Sequence, residues 1–178
     1  MWLAAGACSA GRPVYAIDPH RGSREDPSAD TLAEFLDNLR RAGVAETVEP
    51  LVMTSVDAAA QMREPVELLF IDGDHSRAGA ERDARIWLPR VIDGGFVMMH
   101  DVGAAGYIGP RTVFRRMVCW NGGFDRIGRV GSMGIARRTT RRSAAAAVWG
   151  GVAGVLLYLY DLKRWLGGWR RDYSMGTR

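Results

Sequence analysis

The chain has 178 residues, of which 47% are hydrophobic and 25% are charged, an ordinary composition for a globular domain with a core of its own. Two cysteines, Cys8 and Cys119, are too few for a disulfide framework, and no Cys-x-x-Cys pair indicates a structural zinc site. The net charge of +4 is uneven, because residues 1–120 hold 13 basic and 17 acidic side chains (−4) whereas residues 121–178 hold 11 and 3 (+8). We therefore expect no nucleic-acid substrate in the acidic part. Since no basic region precedes the short apolar N-terminal stretch, we predict a cytoplasmic protein rather than a secreted one.

Apolar runs typical of strands alternate along the chain with segments of helical periodicity. This alternation predicts an α/β fold, a Rossmann-like parallel sheet with helices on both faces, over a domain of residues 1–138. A basic tail with an apolar helix over 143–160 would form the remainder, residues 139–178. The predicted strands are 14–17, 48–53, 68–71 and 96–99. The runs 68–71 and 96–99 are expected to be buried on both faces, with Gly94 and Gly95 forming the turn before the second. Helical periodicity predicts a helix between an Asp30 cap and Gly43 that buries Leu32, Phe35, Leu36 and Leu39, and a later helix that buries Ala80, Ala84, Trp87 and Leu88. Further helices are predicted over 56–62 and 112–120, and a closing hairpin over 124–130 and 132–137.

Acidic and histidine side chains follow two of these strands. Asp72, Gly73, Asp74 and His75 come directly after the run 68–71, and His100 and Asp101 come directly after 96–99. In open α/β sheets, ligands bind at the carboxyl ends of the strands. We therefore predict a functional site here, the alternative being that these are solvated loop residues.

The residue types at these strand ends fit two kinds of chemistry. Asp72 and Asp101 could bind a hard cation such as Mg²⁺, and His100 could join them, although imidazole suits Mn²⁺ or Zn²⁺ better. His75 could accept a proton near neutral pH, and Gly73 would let the backbone approach a ligand closely. The structural alternatives are that His75 caps a helix and that His100 packs under the sheet.

Two earlier strand ends are candidates for nucleotide contacts. Asp18 ends the run 14–17, where a carboxylate can accept hydrogen bonds from ribose hydroxyls, although Asp-Pro is also a common start of a turn. Ser55 could meet an adenine or cap a turn. An NAD-linked oxidoreductase would also use an acid such as Asp18, but that function does not explain the Asp-Gly-Asp-His sequence.

The order and spacing of these motifs resemble class I S-adenosylmethionine-dependent methyltransferases, specifically the branch that methylates hydroxyls of small molecules and sugars. The resemblance extends from Val14 to Arg137 and is most distinctive over residues 70–101. The segments that carry it are Ala16–Pro19, Met53–Asp57, Phe70–Ser76, Trp87–Pro89 and Gly94–Asp101.

The resemblance implies S-adenosylmethionine as cofactor and assigns roles residue by residue. Asp18 takes the ribose position, and Ser55 and Val56 take the loop that lines the adenine. Asp72 and Gly73 complete the predicted cofactor contacts.

The resemblance also implies the catalytic and metal positions. His75 falls where catechol O-methyltransferase has its catalytic lysine, with Asp74 a rival for the role of base. Asp72, His100 and Asp101 take the positions of a divalent metal site, for Mg²⁺ or Mn²⁺. This site is altered, because Val102 stands where catechol O-methyltransferase has an asparagine, and the sugar enzymes have two adjacent acids where this chain has His100 and Asp101.

The resemblance predicts in-line methyl transfer to a hydroxyl of a small molecule or sugar. In the family, a first strand and a glycine-rich loop would precede Trp2, and loss of that strand would expose edges on its two neighbours. We expect either that the coding region starts further upstream or that the gene is truncated. The alternative function is a catalytically inactive remnant of the methyltransferase fold, held at a membrane by its tail.

The tail contains 18 consecutive uncharged residues, 143–160. A spanning helix needs about 20 apolar residues, and basic and aromatic residues at its ends suit a membrane interface. Three placements of this helix stay open: docking on the sheet or on a partner subunit of a homo-oligomer, lying on a membrane surface, or spanning the inner membrane.

Two features of the tail could make these contacts. Gly150 and Gly154 form a G-x-x-x-G pair that could seat a neighbouring helix. The predicted membrane contact covers residues 143–171, with Arg137, Arg138, Arg141 and Arg142 before the apolar segment and Lys163, Arg164, Trp165, Trp169, Arg170 and Arg171 after it.

Overall fold

A computed structural model of the chain describes residues 1–21, 28, 30–104, 106–141 and 143–166, the last three without their side chains. The chain divides into two compact units, Met1–Arg63 and Glu64–Arg178. Arg142, Trp169, Arg170 and Arg171, and the side chains of Arg164 and Trp165, lie outside the described part. The predicted domain boundary after residue 138 stays a prediction.

The described residues of the first unit form a parallel strand pair, three α-helices and a short 3-10 helix (Ala45–Thr47). Strands β1 and β2 pair in register from Val14 opposite Val48 to Ile17 opposite Leu51. The Asp30 carboxylate accepts a hydrogen bond from the Ala33 amide (2.9 Å) and so caps the second helix as predicted. The elements in chain order are α1 (Trp2–Ser9), β1 (Val14–Ile17), α2 (Thr31–Arg41), β2 (Val48–Leu51) and α3 (Ser55–Gln61).

The core of this unit is small and apolar. Leu39 of α2 and Val48 of β2 are almost completely buried, as expected from the helical period that placed Leu39 on the inner face. The buried cluster consists of Ala4, Leu39, Val44 and Val48, with Val14, Ala16, Phe35 and Ala45 packed around it.

The second unit holds a four-stranded mixed sheet in the order β3-β4-β6-β5. Strands β3 and β4 are parallel, and the last two form the predicted antiparallel hairpin. The α/β class and the Rossmann-like pattern are therefore confirmed. The elements are β3 (Val66–Ile71), α4 (Arg77–Trp87), β4 (Val91–Met99), α5 (Ile108–Phe114) with a π-helical continuation (Arg115–Cys119), β5 (Phe124–Val130), β6 (Met133–Arg138) and α6 (Ala144–Leu166).

Strand β4 begins earlier than the sequence pattern indicated. Gly94 and Gly95 were expected to form the turn before it, but both lie inside the strand, which starts at Val91. A Cβ at Gly95 would lie 2.9 Å from the Glu67 carbonyl oxygen, and the β3–β4 register shifts between Val66 and Leu68. The two glycines therefore do not form a turn before the strand. They allow β3 and β4 to approach each other closely at an irregularity in their pairing.

Burial alternates along the two apolar runs that precede the predicted site. Val97 is fully buried and Ile71 nearly so, whereas Leu68, Phe70 and Phe96 are 40–43% exposed. Successive side chains of a strand point to opposite faces, so these strands bury one face more deeply than the other. The expectation of full burial on both faces is therefore wrong for this part of the sheet.

The tail helix α6 docks on its own unit. It packs against β5 and the π-helical stretch, and the Trp149 Nε1–H donates to the Ile127 carbonyl oxygen (2.9 Å). A Cβ at Gly150 would overlap the Cys119 carbonyl, and one at Gly154 would overlap the Trp120 ring. The G-x-x-x-G pair therefore seats residues 119–120 of the same chain.

The two cysteines lie in different environments. Cys8 is exposed, and Cys119 is buried. Burial raises the pKa of the Cys119 thiol to about 12, so it stays protonated at neutral pH and behaves as a small apolar side chain.

Docking of α6 can be tested with two adjacent glycines. Gly150→Ala should destabilise the protein by about 1–3 kcal/mol, because the new methyl group meets a backbone carbonyl that cannot move freely. Gly151→Ala should raise stability by up to about 1 kcal/mol, because open space surrounds Gly151 and alanine favours the helix. Thermal unfolding of both variants measures the difference, and equal melting temperatures would contradict the docked helix.

Candidate active site

The parallel pairing of β3 and β4 brings the two predicted clusters together. Ile71 pairs with Met99 at the carboxyl ends of the strands, so residues 72 and 100 leave the sheet side by side. The His100 amide continues the ladder by donating to the Ile71 carbonyl oxygen (2.9 Å). This is the edge of an α/β sheet at which ligands bind.

Two histidines and two carboxylates converge at this edge. His75 Nε2 lies 2.8 Å from Asp101 Oδ2 and 3.9 Å from Asp72 Oδ1. His100 Nδ1 lies 3.2 Å from Asp72 Oδ1 and 3.3 Å from Asp101 Oδ1. Four of the predicted site residues therefore form one cluster of side chains within ion-pair distance, which we call the acid–histidine cluster (Asp72, His75, His100 and Asp101).

Asp101 occupies an unusual backbone conformation. Its φ is +56°, in the left-handed region that favours glycine, and the residue is only 9% exposed. The turn that follows is held by the Gly103 amide, which donates to the Ser132 carbonyl oxygen (2.8 Å). Such a conformation persists only where neighbouring contacts impose it, and it often marks a functional position.

Asp74 faces the start of α4 and not the acid–histidine cluster. Its carboxylate accepts hydrogen bonds from the Ser76 amide (2.8 Å) and the Ser76 hydroxyl (2.9 Å). The backbone bond, followed by the hydroxyl bond, lowers the pKa of Asp74 below its ordinary value despite some desolvation. The Ser76 Oγ also accepts from the Gly79 amide (3.0 Å), so Ser76, and not His75, caps α4.

Gly73 has a packing constraint that the sequence did not indicate. A Cβ at this position would lie 3.1 Å from Asp83 Oδ2, and Asp83 is buried beside it. The absence of a side chain at Gly73 therefore brings the strand end close to α4.

The cluster also offers a set of donors for a divalent cation. One ligand atom from each of Asp72, His75 and His100 lies within 4.8 Å of the others. The predicted set was Asp72, His100 and Asp101, so the two sets share Asp72 and His100. Mixed carboxylate and imidazole donors fit Mn²⁺ or Zn²⁺ better than Mg²⁺. His100 is half-exposed and reaches the cluster, so it does not pack under the sheet.

The remaining predicted site residues lie in the first unit. Asp18 is exposed at the end of β1, and its Oδ1 accepts from the His20 amide (2.7 Å). Ser55 and Val56 form the first turn of α3, where Val56 is 45% exposed. The cap of this helix is Thr54, whose hydroxyl accepts from the Asp57 amide (3.2 Å), so Ser55 does not cap the turn.

One aromatic neighbour of the cluster was not predicted. The Tyr107 ring stacks on the His75 imidazole, with 4.2 Å between ring centroids and 29° between planes. Tyr107 lies in the loop before α5, where no periodicity or motif marks it. Stacking of this kind fixes the plane of the imidazole.

Residues 1–102 match the family described as "Methyltransferase domain". This match covers more than half of the chain and includes every residue of the acid–histidine cluster. The chain belongs to this methyltransferase family. The resemblance proposed from the motifs is thereby confirmed.

Solved structures support the same fold. A cofactor-bound protein from MTB is similar with a TM-score of 0.58 at 22% identity, over 79% of this chain and 67% of that one. A protein of Corynebacterium glutamicum matches with a TM-score of 0.53 at 15% identity, over 72% of this chain and 62% of that one. TomG, an O-methyltransferase of Streptomyces achromogenes involved in tomaymycin synthesis and solved in complex with SAM, matches with a TM-score of 0.51 at 20% identity, over 71% and 62%. The present chain thus spans less than two thirds of the length of the Corynebacterium protein and of TomG. At sequence identities of 15–22%, these similarities show a shared fold and nothing more.

The hydrogen bonds between Ser76 and Asp74 should affect how the stability of the protein depends on pH. Ser76→Ala should move the pKa of Asp74 up towards its ordinary value and cost about 1 kcal/mol of stability, because a hydroxyl donor and the helix cap are both lost. Folding lowers the pKa of Asp74, so the ionised carboxylate adds to the free energy of unfolding. This stabilisation is complete above the unfolded-state pKa of about 3.9 and is lost as the pH falls through the lower pKa of the folded state. The variant should therefore lose less stability than the wild type on acidification. Carbon-13 NMR of the carboxylates and thermal unfolding at pH 7 and 3 measure both effects.

A matched control is Ser143→Ala, since the Ser143 hydroxyl accepts from the Ala146 amide (3.0 Å) at the start of α6. This control should cost similar stability without moving the Asp74 pKa. An unchanged Asp74 pKa in Ser76→Ala would contradict the assignment.

Proposed function

We propose that this methyltransferase transfers a methyl group from S-adenosylmethionine to a hydroxyl of a small molecule or sugar. The observation that carries the proposal is the 2.8 Å contact between His75 Nε2 and Asp101 Oδ2 at the carboxyl edge of the sheet. An imidazole oriented by a carboxylate is a common arrangement for removing a proton from a hydroxyl.

His75 is the proposed base. The Asp101 contact favours the tautomer with its proton on Nε2, which leaves the lone pair on Nδ1 to accept the proton of the acceptor hydroxyl. Tyr107 holds the imidazole plane by stacking. Asp74 is the weaker candidate, because its carboxylate is engaged by Ser76 and its lowered pKa makes it a poorer proton acceptor.

Besides the base, the proposed rate acceleration comes from alignment of the acceptor hydroxyl with the methyl group. S-adenosylmethionine supplies an electrophilic methyl group, and the sulfonium sulfur keeps the bonding electron pair when the methyl passes to the acceptor oxygen. The protein must hold the acceptor oxygen in line, and this positioning can contribute about 7–11 kcal/mol at its upper limit.

The cofactor contacts proposed in the first unit are chemically suited to the ribose and the adenine of a nucleoside. The exposed Asp18 carboxylate can accept from ribose hydroxyls, and exposed Val56 beside Ser55 offers apolar and polar surface to an adenine. The predicted cofactor contacts of Asp72 and Gly73 stay predictions.

A divalent cation is a further part of the proposal. Asp72, His100 and Asp101 would hold it, since His100 Nδ1 lies 3.2–3.3 Å from one oxygen of each carboxylate. A bound cation would lower the pKa of the acceptor hydroxyl and orient it. His75 would then remain available as the base.

The two candidate bases can be separated by substitution. His75→Gln should lower kcat by about 10²–10⁴-fold, the usual contribution of a general base, while leaving the affinity for S-adenosylmethionine unchanged. Asp74→Asn should lower kcat less than tenfold, because its carboxylate binds Ser76, the cap of α4, and lies outside the acid–histidine cluster. Transfer of labelled methyl from S-adenosylmethionine to catechol and sugar acceptors, with and without Mn²⁺, measures both.

A larger loss in Asp74→Asn than in His75→Gln would contradict the assignment of the base. Failure of the wild-type chain both to transfer methyl groups and to bind S-adenosylmethionine would favour the catalytically inactive alternative.

We also propose that α6 contacts an anionic membrane surface with its outward face. Ala144–Lys163 is long and apolar enough to cross a membrane, which by itself is weak support. The docking of Gly150 and Gly154 against residues 119–120 instead favours a helix that lies flat. The exposed side chains recur on one helical stripe with exposed fractions of 43–67%: Val148, Val152, Val155, Leu156 and Leu159.

Charge supports an anionic lipid surface over an apolar protein partner. The chain from 121 to 178 has an excess of eight basic residues (11 − 3), and basic residues precede and follow the helix in sequence. Each basic residue near an anionic surface contributes about 1 kcal/mol. The peripheral location, the cytoplasmic location and a homo-oligomer stay predictions.

Vesicle binding tests the outward face. Leu156→Glu should reduce binding to phosphatidylserine-containing vesicles about tenfold or more, because a buried leucine side chain contributes about 1.5–3 kcal/mol. Val130→Glu is the matched control, since Val130 is 65% exposed but lies on the hairpin, and it should bind as the wild type does. Co-sedimentation at low and high salt measures the partition. A wild-type protein that stays in the supernatant, or elutes as a dimer that only Leu156→Glu dissociates, would contradict membrane contact.

A further inference from the structure

A buried arginine next to the acid–histidine cluster has no role in the proposed chemistry. Arg111 of α5 is 1% exposed, and its described hydrogen bonds join other residues than His75. Its Nε donates to the Val102 carbonyl oxygen (2.7 Å), and its Nη2 donates to the Ala104 carbonyl oxygen. These two carbonyls lie on either side of Gly103, so one planar side chain holds the turn that follows Asp101.

A carboxylate on the tail helix completes the arrangement. Asp161 of α6 accepts from Arg111 Nη1 through Oδ1 and from Arg115 Nη1 through Oδ2 (3.3 Å). The Arg111 guanidinium also lies over the Tyr160 ring, 4.9 Å from its centroid. The buried guanidinium group of Arg111 needs a negatively charged partner, because an unpaired charge in the protein interior is strongly destabilising. Asp161 therefore fixes where the Arg111 guanidinium sits.

The turn held by Arg111 determines the position of the carboxylate that orients the proposed base. Asp101 has the left-handed backbone conformation described above, and that conformation depends on its neighbours. The next residue, Val102, is 1% exposed and supplies the carbonyl that Arg111 binds. Movement of this turn would move Asp101 Oδ2 away from His75 Nε2.

We propose that Asp161 and Arg111 are positioning residues of the active site, and that α6 thereby serves the site as well as the surface. The inference rests on the proposed function of His75 and Asp101 in methyl transfer. The Asp161 carboxylate holds Arg111, Arg111 holds the 102–104 turn, and the turn holds Asp101 against His75. Both positioning residues lie after the range 1–102 that matches the family.

The test is Asp161→Ala, with Asp161→Asn as the milder change if the alanine variant does not fold. Proton–nitrogen NMR of the histidine rings in EDTA-containing buffer reports the contact between His75 Nε2 and Asp101 Oδ2 without any need for activity. We expect the Nε2–H signal of His75 to be lost or shifted in both variants. In the methyl-transfer assay we expect kcat to fall at least tenfold while the KM for S-adenosylmethionine stays within twofold.

Asp125→Ala is the matched control. Asp125 forms an ion pair with Arg137 (2.7 Å), and its side chain is 23% exposed against 25% for Asp161, but the pair lies on the β5–β6 hairpin. This variant should lose stability and yet keep the His75 signal and kcat. Asp161 variants that keep both, or an Asp125→Ala variant that loses both, would overturn the proposal.

Different results would refute the proposed methyl transfer and the positioning role of Asp161. A wild-type chain without methyl-transfer activity would refute the proposed function, and the NMR signal would still decide whether Asp161 positions Asp101. An active wild type whose Asp161→Asn variant has unchanged kcat and an unchanged His75 signal would refute the positioning role alone.

Discussion

The parallel pairing of β3 with β4 is the interaction on which the site depends. The register of Ile71 with Met99 makes the two strands end together, and the acidic and histidine residues that follow them have little freedom to separate. The inward side chains of both strands, such as Ile71 of β3 and Val97 of β4, are buried and hold this register by packing. A shift of one residue would turn these side chains to the other face, so the hydrophobic pattern of the strands also specifies the geometry of the cluster.

A second constraint comes from buried charge. The cluster brings two carboxylates close together, and each has an imidazole nitrogen within 3.3 Å, whose polar contact offsets the repulsion of the carboxylates. Behind the cluster, Arg111 is buried with its charge opposed by Asp161 of α6. The apolar tail helix therefore carries its one described acidic residue to the place where the core needs it. Its glycine face allows this approach, and its outward face stays apolar.

Much of this arrangement could be predicted from the sequence because it depends on local patterns. Helical periodicity placed Ala84 and Trp87 in the core, and the strand ends at Asp72 and His100 were recognisable from where the apolar runs stop. The start of β4 was wrong because Gly94 and Gly95 have the appearance of a turn, whereas their role is to relieve a close contact with β3. Contacts between distant segments could not be predicted. Tyr107 meets His75 across 32 residues and Arg111 meets Asp161 across 50, and no local pattern specifies either pair.

A calorimetric titration of S-adenosylmethionine into the chain and into its Asp18→Ala variant would show whether this fold binds the cofactor and whether Asp18 contributes. We expect saturable one-site binding by the wild type. Loss of the Asp18 carboxylate should weaken this binding about tenfold or more, because hydrogen bonds from ribose hydroxyls to a charged acceptor contribute about 1.5–3 kcal/mol. Absence of saturable binding would contradict the proposed methyl transfer, and equal affinity of the two proteins would contradict the role of Asp18.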